Sequence, residues 1–227
     1  MISIIIPVLN EEERIGRLIR ELESSGTGLI GEIIVVDGGS GDGTVDAAAQ
    51  AGARVILSAR RGRGSQMNAG AEAARSETLY FLHADTSPPA SFDRKIIESV
   101  EGGLQAGCFR LRFDDPHPLL RFYSWFTRFD VDLFRFGDQS LFINRALFLR
   151  LGGFDERLTL MEDQEMVKRV KRLERFAILE DEVVTSARKY RENGVLRLQA
   201  VFTLLLVFYY AGVPQWRLVE YYRRWIR

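Results

Sequence analysis

Residues 2 to 37 read "ISIIIPVLNEEERIGRLIRELESSGTGLIGEIIVVD", and this stretch decides the fold because an apolar run, an amphipathic segment and a second apolar run follow one another. The two apolar runs, residues 2–6 and 33–36, consist mostly of Ile and Val and are typical of buried strands. Between them, apolar residues recur with helical spacing at Ile15, Leu18, Ile19 and Leu22. This order predicts a parallel strand pair whose connecting helix covers one face.

The same alternation continues as far as residue 82. The segments "TVDAAAQAGA", with Thr44 as its predicted N-cap, and "GSQMNAGAEAARS" are typical of helices, while "RVILSA" and "TLYFL" are typical of strands. Strands and helices that alternate in this way predict an α/β fold with a mostly parallel sheet flanked by helices. Ligands of such sheets bind outside the carboxyl ends of the strands, so a site is expected there.

Composition excludes several classes of protein. The 227 residues include 31 basic and 31 acidic side chains, so the net charge gives no reason to expect a nucleic-acid partner. Cys108 is the only cysteine, which excludes an intramolecular disulfide and predicts a buried structural thiol in a reducing compartment. The N-terminal "MISIIIPVLN" reaches Pro7 without the pattern of a secretory leader, and a cytoplasmic protein is expected.

Each of the four predicted strands ends in polar or charged residues. The first ends at Asn10 and Glu11, and the fourth ends at His83 and Asp85. The second ends at Asp37 before "GGSGDGT", and the third leads into "ARRGRGSQMN". Each feature alone has a plain alternative: a turn, a helix start for the carboxylates, or a solvated loop for the arginines. Four such ends at one edge of a sheet predict a binding site.

The residue types indicate a nucleotide and a divalent cation. Asp37 can accept hydrogen bonds from a base or ribose, although its glycine loop has neither the dinucleotide nor the phosphate-loop spacing. The arginines suit bidentate contact with phosphate. Asp85 is placed to bind Mg²⁺ or Mn²⁺ on a diphosphate, and His83 is either a second ligand, which favours Mn²⁺, or a structural residue.

Several motifs, in order along the chain, resemble the family-2 glycosyltransferases of the GT-A fold. They are "SIIIPVLNEEERI", "EIIVVDGGSGDGTVDAA", "LYFLHADTSPP" and "INRALFLRLGGFDERLTLMEDQEMVKRVKR", which together span about residues 1 to 175. More narrowly, "RGRGSQMNAGA", "LHADT" and "GDQSLFINR" resemble a bacterial subgroup labelled arsenosugar-biosynthesis glycosyltransferases. The resemblance implies a Rossmann-like GT-A domain, with a helical extension after it, that takes a sugar from a UDP- or GDP-sugar.

The resemblance also implies a donor site with named residues. Those expected around the nucleobase and ribose are Pro7, Leu9, Glu11 and Asp37. Asp85 matches the last aspartate of the Asp-x-Asp signature, which binds the metal on the diphosphate. His83 replaces the first aspartate of that signature, which leaves the ribose contact and the metal affinity open. The segment that approaches the donor contains Arg63, Gln66 and Asn68.

The pair Glu162 and Asp163 precedes a segment with helical spacing, so helix capping is the plain alternative for both acids. The resemblance implies that Asp163 is the general base, which takes a proton from the acceptor hydroxyl as its oxygen attacks the anomeric carbon. A single displacement of this kind inverts the configuration and needs no enzyme nucleophile. The residues implied on the acceptor side are Asp138, Gln139, Gly153, Phe154, Asp155 and Glu162.

Two apolar stretches extend beyond these motifs. The first, "RFYSWFTRFDVDLFRFG" (residues 121–137), is explained by core packing, by a homodimer seam or by a lipid-linked acceptor. The second, "AVFTLLLVFYYAGV" (residues 200–213), is shorter than the roughly 20 residues that span a bilayer. It is a buried or dimer-forming helix, or an interfacial helix anchored by Trp216, Trp225 and nearby arginines including Arg227. We expect a glycosyltransferase domain over residues 1–187 and a helical extension over 188–227, with peripheral contact at the inner face of the cell membrane in the interfacial case.

Two other classes compete with this interpretation. Nucleotidyltransferases also bind nucleotide and metal on a sheet, but "PVLNEEER" lacks the glycine- and arginine-rich loop that follows their first strand. A noncatalytic nucleotide-binding or membrane-associated scaffold on a transferase fold would explain His83 in place of an aspartate. The presence of Asp37, Asp85 and Asp163 together favours an enzyme.

Overall fold

A mixed sheet forms the centre of the molecule. The computed structural model describes residues 1–135 and 137–226, and in this part of the chain the sheet has eight strands. They are β1 (Ile2–Val8), β2 (Ile30–Asp37), β3 (Arg54–Leu57), β4 (Thr78–Phe81), β5 (Thr86–Ser87), β6 (Ala106–Phe113), β7 (Leu141–Asn144) and β8 (Phe176–Thr185). The helices are α1 (Glu12–Ser25), α2 (Thr44–Gln50), α3 (Arg63–Ala73), α4 (Phe92–Glu101), α5 (Pro118–Trp125), α6 (Arg145–Arg150), α7 (Glu162–Leu173), α8 (Arg188–Asn193), α9 (Val195–Tyr210) and α10 (Gln215–Trp225).

The first half of the sheet is parallel, as the alternation of strands and helices predicts. Its strand order is β3, β2, β1, β4. Val8 at the end of β1 pairs with Asp37 at the end of β2, and Asp37 pairs with Leu57 at the end of β3. The loops that follow these strands therefore begin at the same edge of the sheet.

The second half of the sheet is mixed. β7 pairs antiparallel with β4 and with β6, whereas β8 runs parallel to β6 and pairs antiparallel with the short β5. Leu141 at the start of β7 pairs with Phe81 at the end of β4. Because the two strands run in opposite directions, the residues that precede β7 lie beside the residues that follow β4.

Apolar side chains cover both faces of the central part of the sheet, as expected for strands that are mainly apolar. On one face, α1 buries Ile15 and Ile19 against Ile4 of β1. On the other face, α3 buries Met67 and Ala71 in a second cluster that also holds Cys108. Burial raises the pKa of the Cys108 thiol to about 11, so it is the inert structural thiol that the sequence predicts.

The N-cap of α2 differs from the sequence expectation. Thr44 is the first residue of α2 rather than its N-cap, which is Gly43. The Thr44 hydroxyl instead accepts a hydrogen bond from the backbone N–H of Glu11 at 2.9 Å, so it joins two loops at the sheet edge. The stretch over residues 200–213 forms most of α9, and this helix is only partly buried. Phe136 and Arg227 lie outside the described residues.

The chain after β8 forms a helical region that contacts the rest of the molecule. Gln215 at the start of α10 accepts hydrogen bonds from the backbone N–H groups of Thr159 (3.3 Å) and Leu160 (3.2 Å) and donates to the carbonyl of Leu160 (3.2 Å). These bonds anchor α10 on the loop directly before α7. Within residues 1–135 and 137–226, no helix has the length and apolar character needed to cross a membrane.

Candidate active site

Asp37 at the end of β2 organises the glycine loop that follows it. Its buried carboxylate accepts hydrogen bonds from the backbone N–H groups of Gly39 (2.9 Å) and Ser40 (3.0 Å) and from the Ser40 hydroxyl. The loop is joined to the end of β1, because the Asn10 side chain accepts a hydrogen bond from the Gly41 N–H at 2.9 Å. Asp37 therefore fixes the backbone at the edge where the parallel strands end.

Pro7, Leu9 and Glu11 lie at the end of β1 and in the loop that follows it. Pro7 is buried within the strand, whereas Leu9 is 50% exposed and open to a ligand. Burial raises the pKa of Glu11, while nearby arginines such as Arg188, 3.9 Å away, act in the opposite direction. The charge of Asp85 also acts to raise this pKa, because the two carboxylates lie close enough to repel each other.

Gln66 on α3 ties the ends of two strands together. Its Nε2 donates hydrogen bonds to the carbonyl oxygens of Val8 (2.8 Å) and Val36 (2.7 Å). The side chain is only 4% exposed. Because an amide nitrogen has two hydrogens, these bonds use both donors and leave only the Oε1 acceptor for another partner.

Asn68 joins α3 to the turn formed by Gly153, Phe154 and Asp155. Its Oδ1 accepts a hydrogen bond from the Phe154 N–H (2.8 Å), and its Nδ2 donates to the Phe154 carbonyl (2.9 Å). Gly153 has a φ of +71°, and a Cβ there would lie 2.6 Å from Asn68 Oδ1. Glycine is therefore required both by conformation and by space. A hydrogen bond from Arg157 lowers the pKa of Asp155 at the exposed end of this turn.

His83, Asp85 and Asp138 form a cluster of metal-ligand types. One nitrogen or oxygen atom from each residue lies within 4.8 Å of the other two. His83 Nδ1 is 2.9 Å from Asp138 Oδ1, with His83 buried and the Asp138 side chain 43% exposed. The antiparallel pairing of β4 and β7 explains this contact between residues that are far apart in sequence.

This donor set fits a divalent cation. Carboxylate oxygens suit Mg²⁺ and Mn²⁺, and an imidazole shifts the preference away from Mg²⁺. Burial alone would lower the pKa of His83, but its hydrogen bond to Asp138 and the charges of Asp138 and Asp163 raise it above the ordinary value. The partial burial of Asp138 opposes its ionisation, yet the contact with His83 lowers the pKa of this carboxyl. The carboxylates of the site therefore favour positive charge, and a proton on His83 would compete with a bound cation, because only the neutral imidazole is a metal ligand.

Asp163, the second residue of α7, lies across Gly137 from His83. A Cβ on Gly137 would overlap the Asp163 carboxylate and would lie 2.7 Å from Cε1 of His83. The absence of a side chain at Gly137 thus lets the carboxylate of α7 approach the cluster. Asp163 is half-buried, and it is the acid of the Glu162–Asp163 pair that reaches the sheet edge.

Glu162 has a different environment from its neighbour. Its carboxylate is fully buried, and Oε1 lies 2.8 Å from Nε of Arg63, the first residue of α3. Burial raises the pKa of Glu162 to about 7, although the charge of Arg63 opposes the shift. Glu162 therefore connects α3 to α7 through a buried ion pair. Of the two acids at the start of this helix, only Asp163 lies at the open site.

Sequence reasoning separated some residues that the fold brings together. The resemblance implies Asp138 on the acceptor side, and the structure also brings its carboxylate into contact with His83. The available signal was the position of Asp138 just before the apolar run Leu141–Asn144. The start of a strand that runs antiparallel to its neighbour lies beside the end of that neighbour, so site residues can precede such a strand. Gln139 is buried, and its amide donates to the carbonyl of Phe109 at 3.2 Å.

Other contributors were not singled out from the sequence. Gly137 was missed because the need for a glycine depends on two side chains from other elements. Arg188 and Lys189 at the start of α8 were also missed, although their charges act on Glu11 and, for Lys189, on Asp138. Basic residues that follow a strand have the same sequence pattern whether they face a site or lie in solvent at the start of a helix.

Known proteins resemble the chain in sequence. The sequence model of Glycosyl transferase family 2 matches residues 3–150. Glucosyl-3-phosphoglycerate synthase of Mycolicibacterium paratuberculosis is 34% identical over 96 residues, which are 39% of this chain and 29% of the relative. The match therefore spans less than a third of the length of that relative.

Solved structures share the fold at low sequence identity. A mannosyltransferase from Pyrobaculum calidifontis in complex with GDP-Man and Mn²⁺ has a TM-score of 0.73 and 19% identity, and the match covers 92% of this chain and 63% of that one. Glucosyl-3-phosphoglycerate synthase from Mycobacterium tuberculosis in complex with Mg²⁺ and uridine-diphosphate has a TM-score of 0.64 and 20% identity, with coverage of 94% and 80%. The predicted GT-A fold is confirmed by these likenesses.

Proposed function

Because the chain belongs to glycosyl transferase family 2, we propose that it moves a sugar from a nucleotide-diphosphate donor to a hydroxyl acceptor with inversion at the anomeric carbon. One observation carries this proposal: Asp163 lies across Gly137 from the cluster of His83, Asp85 and Asp138. A carboxylate base placed close to a cation site for the leaving diphosphate is the arrangement that a single displacement requires.

The donor is proposed to bind over the ends of β1 and β2. Asp37 would accept a hydrogen bond from the base or ribose, since a carboxylate has about four lone-pair sites and its glycine loop supplies three donors, the N–H groups of Gly39 and Ser40 and the Ser40 hydroxyl. Pro7, Leu9 and Glu11 would border the same ligand. UDP-sugars and GDP-sugars are the proposed donors, in keeping with the UDP and GDP-Man held by two relatives of the same fold.

Residues of α3 are proposed to support the diphosphate side of the donor. Arg63 directs Nε at Glu162, and its guanidinium has further N–H donors for a phosphate or a sugar hydroxyl. Gln66 and Asn68 would act through the strand ends and the Phe154 turn that their side chains hold. Their contribution to donor binding would then be to the shape of the pocket.

A Mg²⁺ or Mn²⁺ ion would be held by Asp85, with His83 and Asp138 as the neighbouring ligand types. When bound, such an ion neutralises the charge that develops on a leaving diphosphate. The two proteins of the same fold named above were solved in complex with a nucleotide and with Mn²⁺ or Mg²⁺. Those ions support the assignment of the cluster, as does its donor chemistry.

Asp163 is proposed as the general base. It would take the proton of the acceptor hydroxyl while that oxygen forms its bond to the anomeric carbon, and the bond from the anomeric carbon to the diphosphate oxygen breaks. The buried Glu162 would hold the start of α7 through Arg63. The acceptor would be bordered by Asp138 and Asp155, whereas the buried Gln139, Gly153 and Phe154 would contribute only to the shape of that side of the site.

A lipid-linked hydroxyl is the acceptor class that the aromatic stretch favours. Phe122, Trp125 and Phe129 are 56%, 44% and 41% exposed, although Trp125 and Phe129 pack edge to face with ring centroids 4.8 Å apart. Phe129, the last of these residues, precedes Asp138 by nine positions in the chain. An apolar acceptor could bind these rings while its hydroxyl reaches Asp163. Membership of the subgroup labelled arsenosugar-biosynthesis glycosyltransferases is part of the same proposal.

Calorimetric titration of UDP and of GDP into the purified protein, with and without Mn²⁺, tests the proposed function. We expect one nucleotide to bind in the presence of metal, and the matching nucleotide sugars to be slowly hydrolysed when no acceptor is added. No binding of either nucleotide, together with no turnover of UDP- or GDP-sugars, would contradict the proposal and favour a noncatalytic scaffold.

A further inference from the structure

An apolar stripe lies exposed along α9. Apart from Arg197, the exposed residues of this helix recur at three- and four-residue spacing, so they share one face: Leu196, Ala200, Thr203, Leu204, Val207 and Tyr210. Leu196 is 69% and Val207 is 56% exposed, whereas Leu198 and Leu205 on the opposite face are buried. Thr203 is the one polar member, and its hydroxyl donates to the Gln199 carbonyl of the same helix. An exposed, mainly apolar face on a helix indicates a contact with another surface. We call these six residues the α9 stripe.

Arginines gather at one end of the stripe. Arg197 in the first turn of α9 donates a hydrogen bond to the backbone carbonyl of Trp225 (3.2 Å), which brings the end of α10 beside the start of α9. Arg223 and Arg224 are exposed in the last turn of α10 and therefore lie near the same end. From residue 193 to residue 226 the chain has four arginines and a single acid, Glu220.

An aromatic and basic pair occupies the other end. Trp216 in the first turn of α10 is 63% exposed, and the guanidinium carbon of Arg217 lies 5.0 Å from its ring centroid. Tryptophan and arginine side by side are typical of surfaces that rest at the level of lipid headgroups. The α9 stripe is thus bordered at both ends by groups that bind phosphate.

The hairpin of α9 and α10 is held firmly to the rest of the molecule. Gln215 bonds to the loop before α7, and Lys168 of α7 lies 4.0 Å from the ring centroid of Tyr210 at the end of α9. The exposed face is therefore presented by a fixed element and does not depend on a loose tail.

We propose that the hairpin of α9 and α10 rests on an anionic lipid surface, with the α9 stripe inserted at the boundary between headgroups and acyl chains and the arginines against lipid phosphates. The charge of the hairpin favours lipid over a second copy of the chain. Two hairpins face to face would bring the arginines of both copies together, and each hairpin has only one acidic residue to offset them. Anionic lipid headgroups attract the same arginines. With 16 residues, α9 is too short to span the bilayer, so the contact lies in the membrane plane. This inference goes beyond the proposed sugar transfer and does not depend on it.

Cosedimentation of the full chain with vesicles tests the proposal. One set of vesicles is phosphatidylcholine alone, and the other contains phosphatidylglycerol as well. We expect binding to the anionic vesicles only, with weaker binding as salt is added. Val207→Glu places a charge in the middle of the stripe and should weaken binding at least about tenfold. Arg223→Glu combined with Arg224→Glu should weaken it at least about tenfold through charge alone.

Leu149→Glu is the matched control, because Leu149 lies on α6 and is 49% exposed. It should bind vesicles as the parent does. Equal binding of Val207→Glu and the parent, or equal binding to both kinds of vesicle, would overturn the proposal. A dimer in sedimentation velocity that Val207→Glu converts to a monomer would also overturn it, because the stripe would then lie between two copies. Thermal unfolding reports whether each variant folds, and Leu196→Glu repeats the test at a more exposed position of the stripe.

Discussion

The Nε atom of Arg63 lies 2.8 Å from Oε1 of Glu162, and this ion pair joins α3 to α7 beside the candidate active site. The two partners differ in environment, since the Arg63 side chain is 42% exposed and that of Glu162 is fully buried. Burial raises the pKa of Glu162 to about 7 in spite of the arginine. The site therefore contains a carboxyl group that titrates near neutral pH next to the proposed base.

Glu162→Gln should remove a pH dependence of stability. Because the pKa of Glu162 is about 7 in the folded protein against an ordinary value of 4.5, the folded state binds more protons between these values, and stability falls as pH rises through this window. The shift corresponds to roughly 3 kcal/mol in the free energy of unfolding. The free energy of unfolding, measured with urea near pH 4.5 and near pH 7, should fall less between these two pH values in the variant than in the parent. An equal loss in both proteins would mean that Glu162 does not titrate there.

Asp163→Asn should abolish transfer and leave donor binding nearly unchanged. Removal of a general base costs about a hundredfold or more in rate, whereas Asp163 is assigned no contact with the nucleotide. Turnover of the nucleotide sugar and calorimetric binding of the nucleotide with Mn²⁺ measure the two effects. Asp46→Asn, at an exposed position in the first turn of α2, is a control that should keep both. If the Asp163→Asn variant kept full activity, Asp163 would not be the general base.

Asp85→Ala should weaken nucleotide binding only when metal is present. Asp85 belongs to the cluster with His83 and Asp138, and loss of a metal ligand is expected to reduce metal-dependent affinity at least about tenfold. Titration of the nucleotide with and without Mn²⁺ separates the two contributions. If Asp85→Ala and Asp163→Asn lose donor binding equally, the proposed division of roles between these residues is wrong.

Gly137→Ala should reduce activity sharply even though alanine adds only one carbon. That carbon would overlap the Asp163 carboxylate and approach Cε1 of His83 to 2.7 Å, so the proposed base and the cluster would be pushed apart. A displacement of this size at reacting groups costs about a hundredfold in rate. Gly16→Ala on α1 is the matched control, because a Cβ there would meet its nearest neighbour, the carbonyl oxygen of Ala47, at an ordinary contact distance of 3.5 Å. Equal activity of the two variants would contradict the close approach at Gly137.

The ends of the parallel strands could be predicted from sequence because their loops follow directly from the alternation of apolar runs. Asp37, Glu11 and Asp85 lie at the predicted edge for that reason. The contact between His83 and Asp138 could not be predicted in the same way, since it depends on the antiparallel pairing of β7 with β4 across 55 positions of sequence. No local pattern specifies that pairing.

Interior polar contacts were equally inaccessible to sequence reasoning. Asn68 was expected near the donor, yet its side chain is bonded to both backbone groups of Phe154, more than 80 positions away. An amide that holds a distant backbone segment has the same local sequence as an amide that binds a ligand. The roles of such residues therefore need variants that distinguish folding from binding.

Gln66→Glu makes this distinction for the residue that joins β1 and β2. The variant side chain has nearly the same shape, but it would place carboxylate oxygens where Nε2 now donates to the carbonyls of Val8 and Val36 at 2.8 and 2.7 Å. Two lost hydrogen bonds and buried carbonyls without partners should lower the free energy of unfolding by at least about 2 kcal/mol. Urea unfolding measures this loss, with Glu72→Gln on the same helix as a control. If the stability of the Gln66→Glu variant were unchanged and its nucleotide affinity fell, Gln66 would instead be a direct ligand of the donor. A lost contact with the nucleotide would then be the remaining explanation, because the fold would not depend on the two hydrogen bonds.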